Sequence, residues 1–107
     1  MKIKKFESKR LLEPGDYVIC NVNLGNKNLT STLNNNVGQF IKFLSNSEYM
    51  ILYLKDIIHK MKNDLKAKDI ENMFVDDYFI AFKKEIKNWS KNKIDLEVQL
   101  ASKKYNL

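Results

Sequence analysis

The chain has 107 residues, of which 44% are hydrophobic and 30% are charged, and its net charge is +6. These values predict one globular domain with a single core and exclude an intrinsically disordered chain. No apolar run approaches the roughly 20 residues of a membrane span, and the N-terminal residues lack the apolar segment of a signal peptide, so we expect a cytoplasmic protein without membrane contact.

The positive charge is concentrated in a predicted basic arm over residues 1–12. The candidate partner-binding residues of this arm are Lys2, Lys4, Lys5, Lys9 and Arg10. Nearly all of the basic residues are lysines, and lysine lacks the bidentate geometry with which arginine binds phosphate and reads bases. Any contact of the arm with nucleic acid is therefore expected to be non-specific and sensitive to salt.

The first predicted strand follows the Pro14-Gly15 turn, in "YVICNV". Cys20, the single cysteine, lies within this run and is expected to be a small buried hydrophobic residue rather than a reactive thiol. The polar stretch "GNKNLTSTLNNN" then predicts a long connection that contains a short helix around residues 29–33.

Two apolar runs, "VGQFIKFLS" and "YMILYLK", are separated by "NSE" and predict a β-hairpin. Lysines are interleaved with four aromatic residues here, namely Phe40, Phe43, Tyr49 and Tyr53. Such residues could stack on the bases of a single strand, but the simpler interpretation places them in the core or half-buried on the sheet. The predicted core residues are Val18, Phe40, Ile51 and Phe82.

A helix is predicted next, near residues 56–66, because its apolar residues recur at helical spacing and Asp56 can cap it. The apolar positions are Ile57, Ile58, Met61 and Leu65. His59, the single histidine, lies on the opposite, lysine-rich side and is expected to be exposed.

The segment 75–89 fits two structures. Val75, Phe79, Phe82 and Ile86 have helical spacing, whereas the aromatic and β-branched content favours strands. We predict a strand near residues 77–82, a turn at Lys83-Lys84 and a short strand into Trp89.

The C-terminal segment is also ambiguous, because apolar residues alternate with polar ones as in a strand. Ser90 as an N-cap and the terminal lysines favour a helix over residues 90–105. This helix would have two apolar stripes. We expect the stripe of Ile94, Val98, Ala101 and Tyr105 to face the core, because Trp89 could pack on Ile94. That orientation leaves Leu96 and Leu100 as candidate partner contacts.

The residues needed for common catalytic and metal sites are absent or scattered. One histidine and one cysteine in different elements do not form a metal site, and the three glycines form no phosphate-binding motif. Asp76 and Asp77 are adjacent, so their side chains point to different sides of a regular element. We expect no catalytic residue, no metal and no cofactor, and therefore a protein that is not an enzyme.

The order of "GDYV", "VGQFI" and "YMILYL" resembles small SH3-like β-barrels. The resemblance implies an α+β fold class, in which a small SH3-like antiparallel β-barrel spans residues 13–89, with an inserted helix near 56–66 and a C-terminal helix over 90–105. All of these segments would belong to a single domain, 1–107.

The segments "LNNNVGQFI", "EIKNWSKNKIDLE" and "KKYNL" are similar to parts of short proteins encoded by phages and prophages of AT-rich bacteria. This resemblance implies a small non-catalytic protein of the host bacterial cytoplasm that binds a host protein or ribonucleoprotein, as an anti-defence inhibitor of the anti-CRISPR type does. The alternative is a barrel that binds RNA or single-stranded DNA non-specifically through its lysines. The lysine content is also what the codon bias of an AT-rich genome produces.

Overall fold

A computed structural model describes residues 11–25 and 27–104, which form six strands and four helices. The strands are β1 (Tyr17–Cys20), β2 (Gly38–Phe43), β3 (Glu48–Leu52), β4 (Phe74–Val75), β5 (Tyr78–Phe82) and β6 (Ile86–Ser90). The helices are α1 (Lys27–Asn34), α2 (Lys55–Asp64), α3 (Ala67–Met73) and α4 (Lys93–Lys104), and a 3₁₀ turn, Lys83–Glu85, joins β5 to β6. None of the helices in the described ranges is long and apolar enough to cross a membrane.

The six strands form one antiparallel sheet in the order β4-β5-β3-β2-β1-β6. The α+β class is therefore confirmed, but closure into an SH3-like barrel is not. Closure requires the two edge strands to pair, and here β4 and β6 lie at opposite ends of the strand order. Strand β4 has only two residues, which leaves little backbone for such a pairing.

One face of the sheet, which we call the core face, carries the main hydrophobic core. Val18, Phe40 and Ile51 are fully buried on it, as predicted. Helices α1 and α2 cover this face with four buried side chains, Leu29, Leu33, Ile58 and Met61.

Phe82 is not in the core, contrary to the prediction, and its side chain is 46% exposed. Successive residues of a strand point to opposite faces, and Phe79 and Ala81 of β5 occupy the core face. Phe82 therefore lies on the opposite side, which we call the second face.

Helix α4 packs on the second face, over β1 and β6. Ile19, Met50 and Leu96 are buried but do not belong to the core cluster, because they lie on this other side of the sheet. Among the described helices, α1 and α2 thus lie on one face of the sheet and α4 lies on the other.

The predicted order of elements is largely confirmed between residues 13 and 89. The short helix in the polar connection is α1, the hairpin is β2–β3, and segment 75–89 forms strands rather than a helix. Helix α2 begins at Lys55 after the extended residue Leu54, so Asp56 lies in its first turn and is not its cap. Helix α3 was not predicted.

Candidate protein-binding site

Helix α4 begins at Lys93 and not at residue 90. Asn92 is its N-cap, because the Asn92 Oδ1 atom accepts the Ile94 backbone N–H at 3.0 Å. Ser90 ends strand β6, and its hydroxyl accepts the Asn92 N–H at 3.0 Å and donates to Asp95 Oδ2 at 3.1 Å. Ser90 therefore organises the turn before the helix, whereas the predicted capping role belongs to Asn92.

Lys91 ties the start of α4 to the turn before β1. Its Nζ atom lies 3.0 Å from Glu13 Oε1 and 3.2 Å from Asp16 Oδ1, and these two carboxylates raise the pKa of Lys91. Asp16 is fully buried, and its Oδ2 atom accepts the Glu13 backbone N–H at 2.9 Å. The Pro14-Gly15 turn between them is the predicted one, with Gly15 at φ 99° and the Asp16 N–H donating to the Glu13 carbonyl at 3.0 Å.

One stripe of α4 faces the sheet. Leu96 is fully buried and Leu100 is half-buried, close to Ile19 and Asn88. The Asn88 side-chain amide donates to Gln99 Oε1 at 2.6 Å, which fixes the rotation of the helix about its axis. The prediction that Leu96 and Leu100 face a partner is therefore wrong for Leu96, and Leu100 has only part of its surface available.

The other stripe of α4, formed by Ile94, Val98 and Ala101, faces solvent, and we call it the outer stripe. Ile94 is 64% exposed and Val98 57% exposed. Val98 lies about 200° around the helix from Leu96, since each residue advances the helix by about 100°. The predicted packing of Trp89 on Ile94 is wrong, because Trp89 packs partly buried against the core cluster.

Charged residues border the outer stripe. Lys93 and Glu97 approach each other at 3.9 Å, one helical turn apart, and Asp95 is held by the Ser90 hydroxyl. An apolar centre inside a polar rim is the usual anatomy of a protein interface. The stripe has this arrangement on a helix that is anchored at its start by a cap and an ion pair.

The structure describes only some of the residues expected to contact nucleic acid. The predicted contacts of the basic arm, Lys2, Lys4, Lys5, Lys9 and Arg10, lie outside the described residues. Of the interleaved aromatic residues, Phe40, Tyr49 and Tyr53 are buried, which confirms the interpretation as core for these three. Phe43 is half exposed, and its ring packs edge-on against Phe40 and Tyr49 at 4.8 Å, so it offers a single ring and not a platform.

Cys20 and His59 occupy the environments expected from the sequence. Cys20 is buried, and burial raises the pKa of its thiol to about 11, so the thiol is protonated at neutral pH and is a poor nucleophile. His59 is exposed on α2. Within the described part of the chain, no three His, Cys, Asp or Glu residues are grouped so that they could hold a metal ion.

A second group of exposed apolar residues was missed in the sequence. Leu44, Leu52 and Phe82 each expose more than a third of their surface on or beside β2, β3 and β5. The strand period contains the signal, because once Phe79 is assigned to the core face Phe82 must lie on the opposite one.

Comparison of the chain with protein-family models, with curated proteins and with solved structures gives no match.

Proposed function

We propose that this chain is a small non-catalytic binding protein that uses the outer stripe of α4 to bind a host protein or ribonucleoprotein, as an anti-defence inhibitor of the anti-CRISPR type. The observation that carries the proposal is the exposure of Ile94 and Val98 on a helix whose opposite stripe already packs on the sheet. The resemblance to short phage and prophage proteins supports the biological setting.

The small size of the outer stripe limits how much it can contribute to the free energy of binding. Fully burying one Val or Ile side chain stabilises a complex by about 1.5–3 kcal/mol, and a side chain that is already partly buried contributes about half as much. A nanomolar complex requires about 12 kcal/mol. The outer stripe is therefore the apolar centre of a larger contact, whose rim includes Lys93 and Glu97.

Non-specific RNA binding is the alternative function. The surplus of lysine residues supports RNA binding. The aromatic side chains do not support it, because those that would stack on bases are mainly in the core. The same experiment distinguishes the two functions.

Wild-type protein is used to capture partners from host lysate, with and without nuclease treatment, in parallel with Val98→Asp and a matched control, Asn63→Asp. The control adds the same charge at an exposed position of α2. We expect one host protein to be captured after nuclease treatment by wild type and by Asn63→Asp, and to be lost with Val98→Asp. The purified complex that contains this protein should be inhibited by wild type and not by Val98→Asp.

Capture that disappears with nuclease would favour RNA binding. Equal capture by wild type and Val98→Asp would exclude the outer stripe as the binding surface. Thermal melting of both variants verifies that they remain folded.

A further inference from the structure

The segment between α2 and β5 is attached to the domain by few buried side chains. It consists of residues 66–77, which contain α3, β4 and the turn after β4, and we call it the flap. Phe74 is the one buried residue of the flap, while Ile70 and Met73 are partly buried against the core cluster. Strand β3, by contrast, pairs with a strand on each side and has three buried residues.

The secondary structure of the flap is too short to be stable by itself. Helix α3 has seven residues, fewer than the roughly 12–15 at which an isolated helix becomes marginally stable in water. Strand β4 lies at the edge of the sheet and pairs with β5 at two positions, Phe74 and Val75. Contacts with the rest of the domain must therefore keep the flap closed.

Lys62 of α2 makes the polar part of these contacts. Its Nζ atom donates to the Asp76 carbonyl at 2.8 Å and to Asp77 Oδ1 at 2.8 Å. The same atom lies 5.4 Å from the centre of the Phe74 ring, within the range of a cation–π contact. The hydrogen bond from Lys62 lowers the pKa of Asp77, so this carboxylate is charged at neutral pH. One side chain of α2 thus holds both β4 and the turn that follows it.

The turn that Lys62 contacts has an unusual backbone conformation. Asp76 and Asp77 are the two loop residues of the β4–β5 hairpin, and Asp76 has φ 56°. A two-residue hairpin turn needs positive φ at its first loop residue. Aspartate adopts this conformation more readily than most residues, but glycine adopts it without a steric cost. The hydrogen bond from Lys62 to the Asp76 carbonyl helps to offset that cost.

We infer that the flap opens as one unit while the rest of the sheet stays folded, and that the contacts of Lys62 set how often it opens. Local opening commonly involves contiguous segments with few buried apolar contacts, and the flap is such a segment. Opening would withdraw Phe74 from the core and uncover the edge of β5. The outer stripe of α4 takes no part in this motion, so the inference is independent of the proposed function.

Native-state hydrogen exchange of the full chain measures the opening. The amides of Ile70 and Phe74 donate to the carbonyls of Lys66 and Ile70, so their exchange requires the flap to open. We expect them to exchange at least about tenfold faster than the paired amides of β3. Their exchange should also depend less on low concentrations of denaturant, because opening of the flap exposes less surface than global unfolding.

Substitution of Lys62 tests its part in the motion. Lys62→Met retains an apolar side chain and removes the charge, and should speed exchange in the flap by about fivefold or more. Lys60→Met is the matched control, because Lys60 is exposed on the same helix, and it should leave this exchange unchanged. Exchange in β3 should respond little to either change.

Asp77→Asn removes the ion pair and leaves the bond from Lys62 to the Asp76 carbonyl. Because the Asp77 side chain is 67% exposed, we expect a smaller acceleration, of about twofold. The double variant, Lys62→Met with Asp77→Asn, should exchange more slowly than the product of the two single effects predicts, because both changes remove the same contact.

Exchange of the flap at the rate and denaturant dependence of β3 would overturn the proposal, because the flap would then open only in global unfolding. Equal effects of Lys62→Met and Lys60→Met would also overturn it. Val98→Asp should leave exchange in the flap unchanged, so failure of the outer stripe and failure of the flap are seen separately. Asp77→Asn changes an exposed side chain and keeps the test valid if Lys62→Met does not fold.

Discussion

Two buried, weakly acidic groups, the Cys20 thiol and the Tyr53 hydroxyl, lie side by side in the core. Cys20 is buried on β1, and Tyr53, which follows β3, is buried almost completely. The Tyr53 hydroxyl makes no well-formed hydrogen bond within the described residues, although the neighbouring Cys20 thiol affects its pKa. Burial raises the pKa of both groups, to about 11 for Cys20 and well above 10.0 for Tyr53. The fold therefore requires both side chains to remain protonated.

This requirement predicts a loss of stability at alkaline pH. The pKa of Cys20 is 9.0 in the unfolded reference and about 11 in the folded protein, so the unfolded state loses its proton first. The part of the folding stability that depends on a protonated Cys20 thiol is fully present below pH 9. It is lost as the pH rises toward 11, at about 1.4 kcal/mol per pH unit. Urea unfolding at pH 8, 9 and 10 should show this decline, and Cys20→Ala should make it shallower. An identical slope in Cys20→Ala would contradict the assignment to the thiol.

Gly38 is required because the core approaches its backbone closely. A Cβ atom there would lie 2.5 Å from Ile51 Cγ2 and 3.0 Å from the Tyr53 ring. Gly38→Ala should destabilise the protein by about 1–3 kcal/mol, the usual cost of overpacking a core. Chemical denaturation measures the change, and an unchanged midpoint would show that β2 and β3 can separate at this point without cost.

At the scale of the element, the orientation of α4 determines which surface is available. Leu96→Ala should destabilise the protein by about 2–5 kcal/mol, because it removes a fully buried side chain. Val98→Ala should change stability by less than about 0.5 kcal/mol, because Val98 is largely exposed. Urea unfolding of the two variants gives the comparison. A larger loss for Val98→Ala would mean that the two stripes are exchanged.

The start of α4 provides a separate test. Asn92→Ala should cost about 0.5–2 kcal/mol, because it leaves the Ile94 amide without its side-chain acceptor. Ser90→Ala removes two hydrogen bonds of the preceding turn, to Asn92 and Asp95, and leaves the cap itself in place. We expect the helical circular dichroism signal of Asn92→Ala to fray on warming before that of Ser90→Ala. The reverse order would restore Ser90 as the cap.

The elements could be predicted where a periodic apolar pattern had one interpretation. The hairpin β2–β3 and the buried side of α2 were predicted because their apolar residues repeat at strand or helical spacing. Helix α3 was missed because none of its residues is fully buried, so it leaves no apolar stripe in the sequence.

The rotation of α4 could not be read from the sequence. Its two stripes are almost equally apolar, and contacts between residues distant in sequence decide between them. These contacts are the hydrogen bond from Asn88 to Gln99 and the ion pairs of Lys91 with Glu13 and Asp16. Local sequence patterns could not predict whether the sheet closes into a barrel either, because closure depends on whether its two edge strands pair.

The whole molecule combines a positive net charge with an exposed apolar stripe on α4. Five of its nineteen basic residues lie within residues 1–10, outside the described ranges, while the outer stripe belongs to the described domain. Like charge on every copy opposes self-association through the outer stripe. Partner binding through the outer stripe should therefore depend on apolar contact, and binding of nucleic acid should depend on the lysines.

Measuring affinity at different salt concentrations distinguishes binding through apolar contact from binding through the lysines. Binding of RNA through six or more phosphate contacts should weaken by about 10³-fold or more between 50 and 200 mM salt, because each contact releases condensed counterions. Binding of a captured protein through the outer stripe releases few ions, and its affinity should change by less than about tenfold over the same range. Removal of residues 1–10 gives the matched control, since it takes away five basic residues and leaves Ile94 and Val98 in place. The truncation should flatten the salt dependence of RNA binding and leave the salt dependence of protein binding as it was. If the affinity for the captured protein falls steeply with salt, and if this fall requires residues 1–10, the binding is electrostatic. The outer stripe would then have no part in the function.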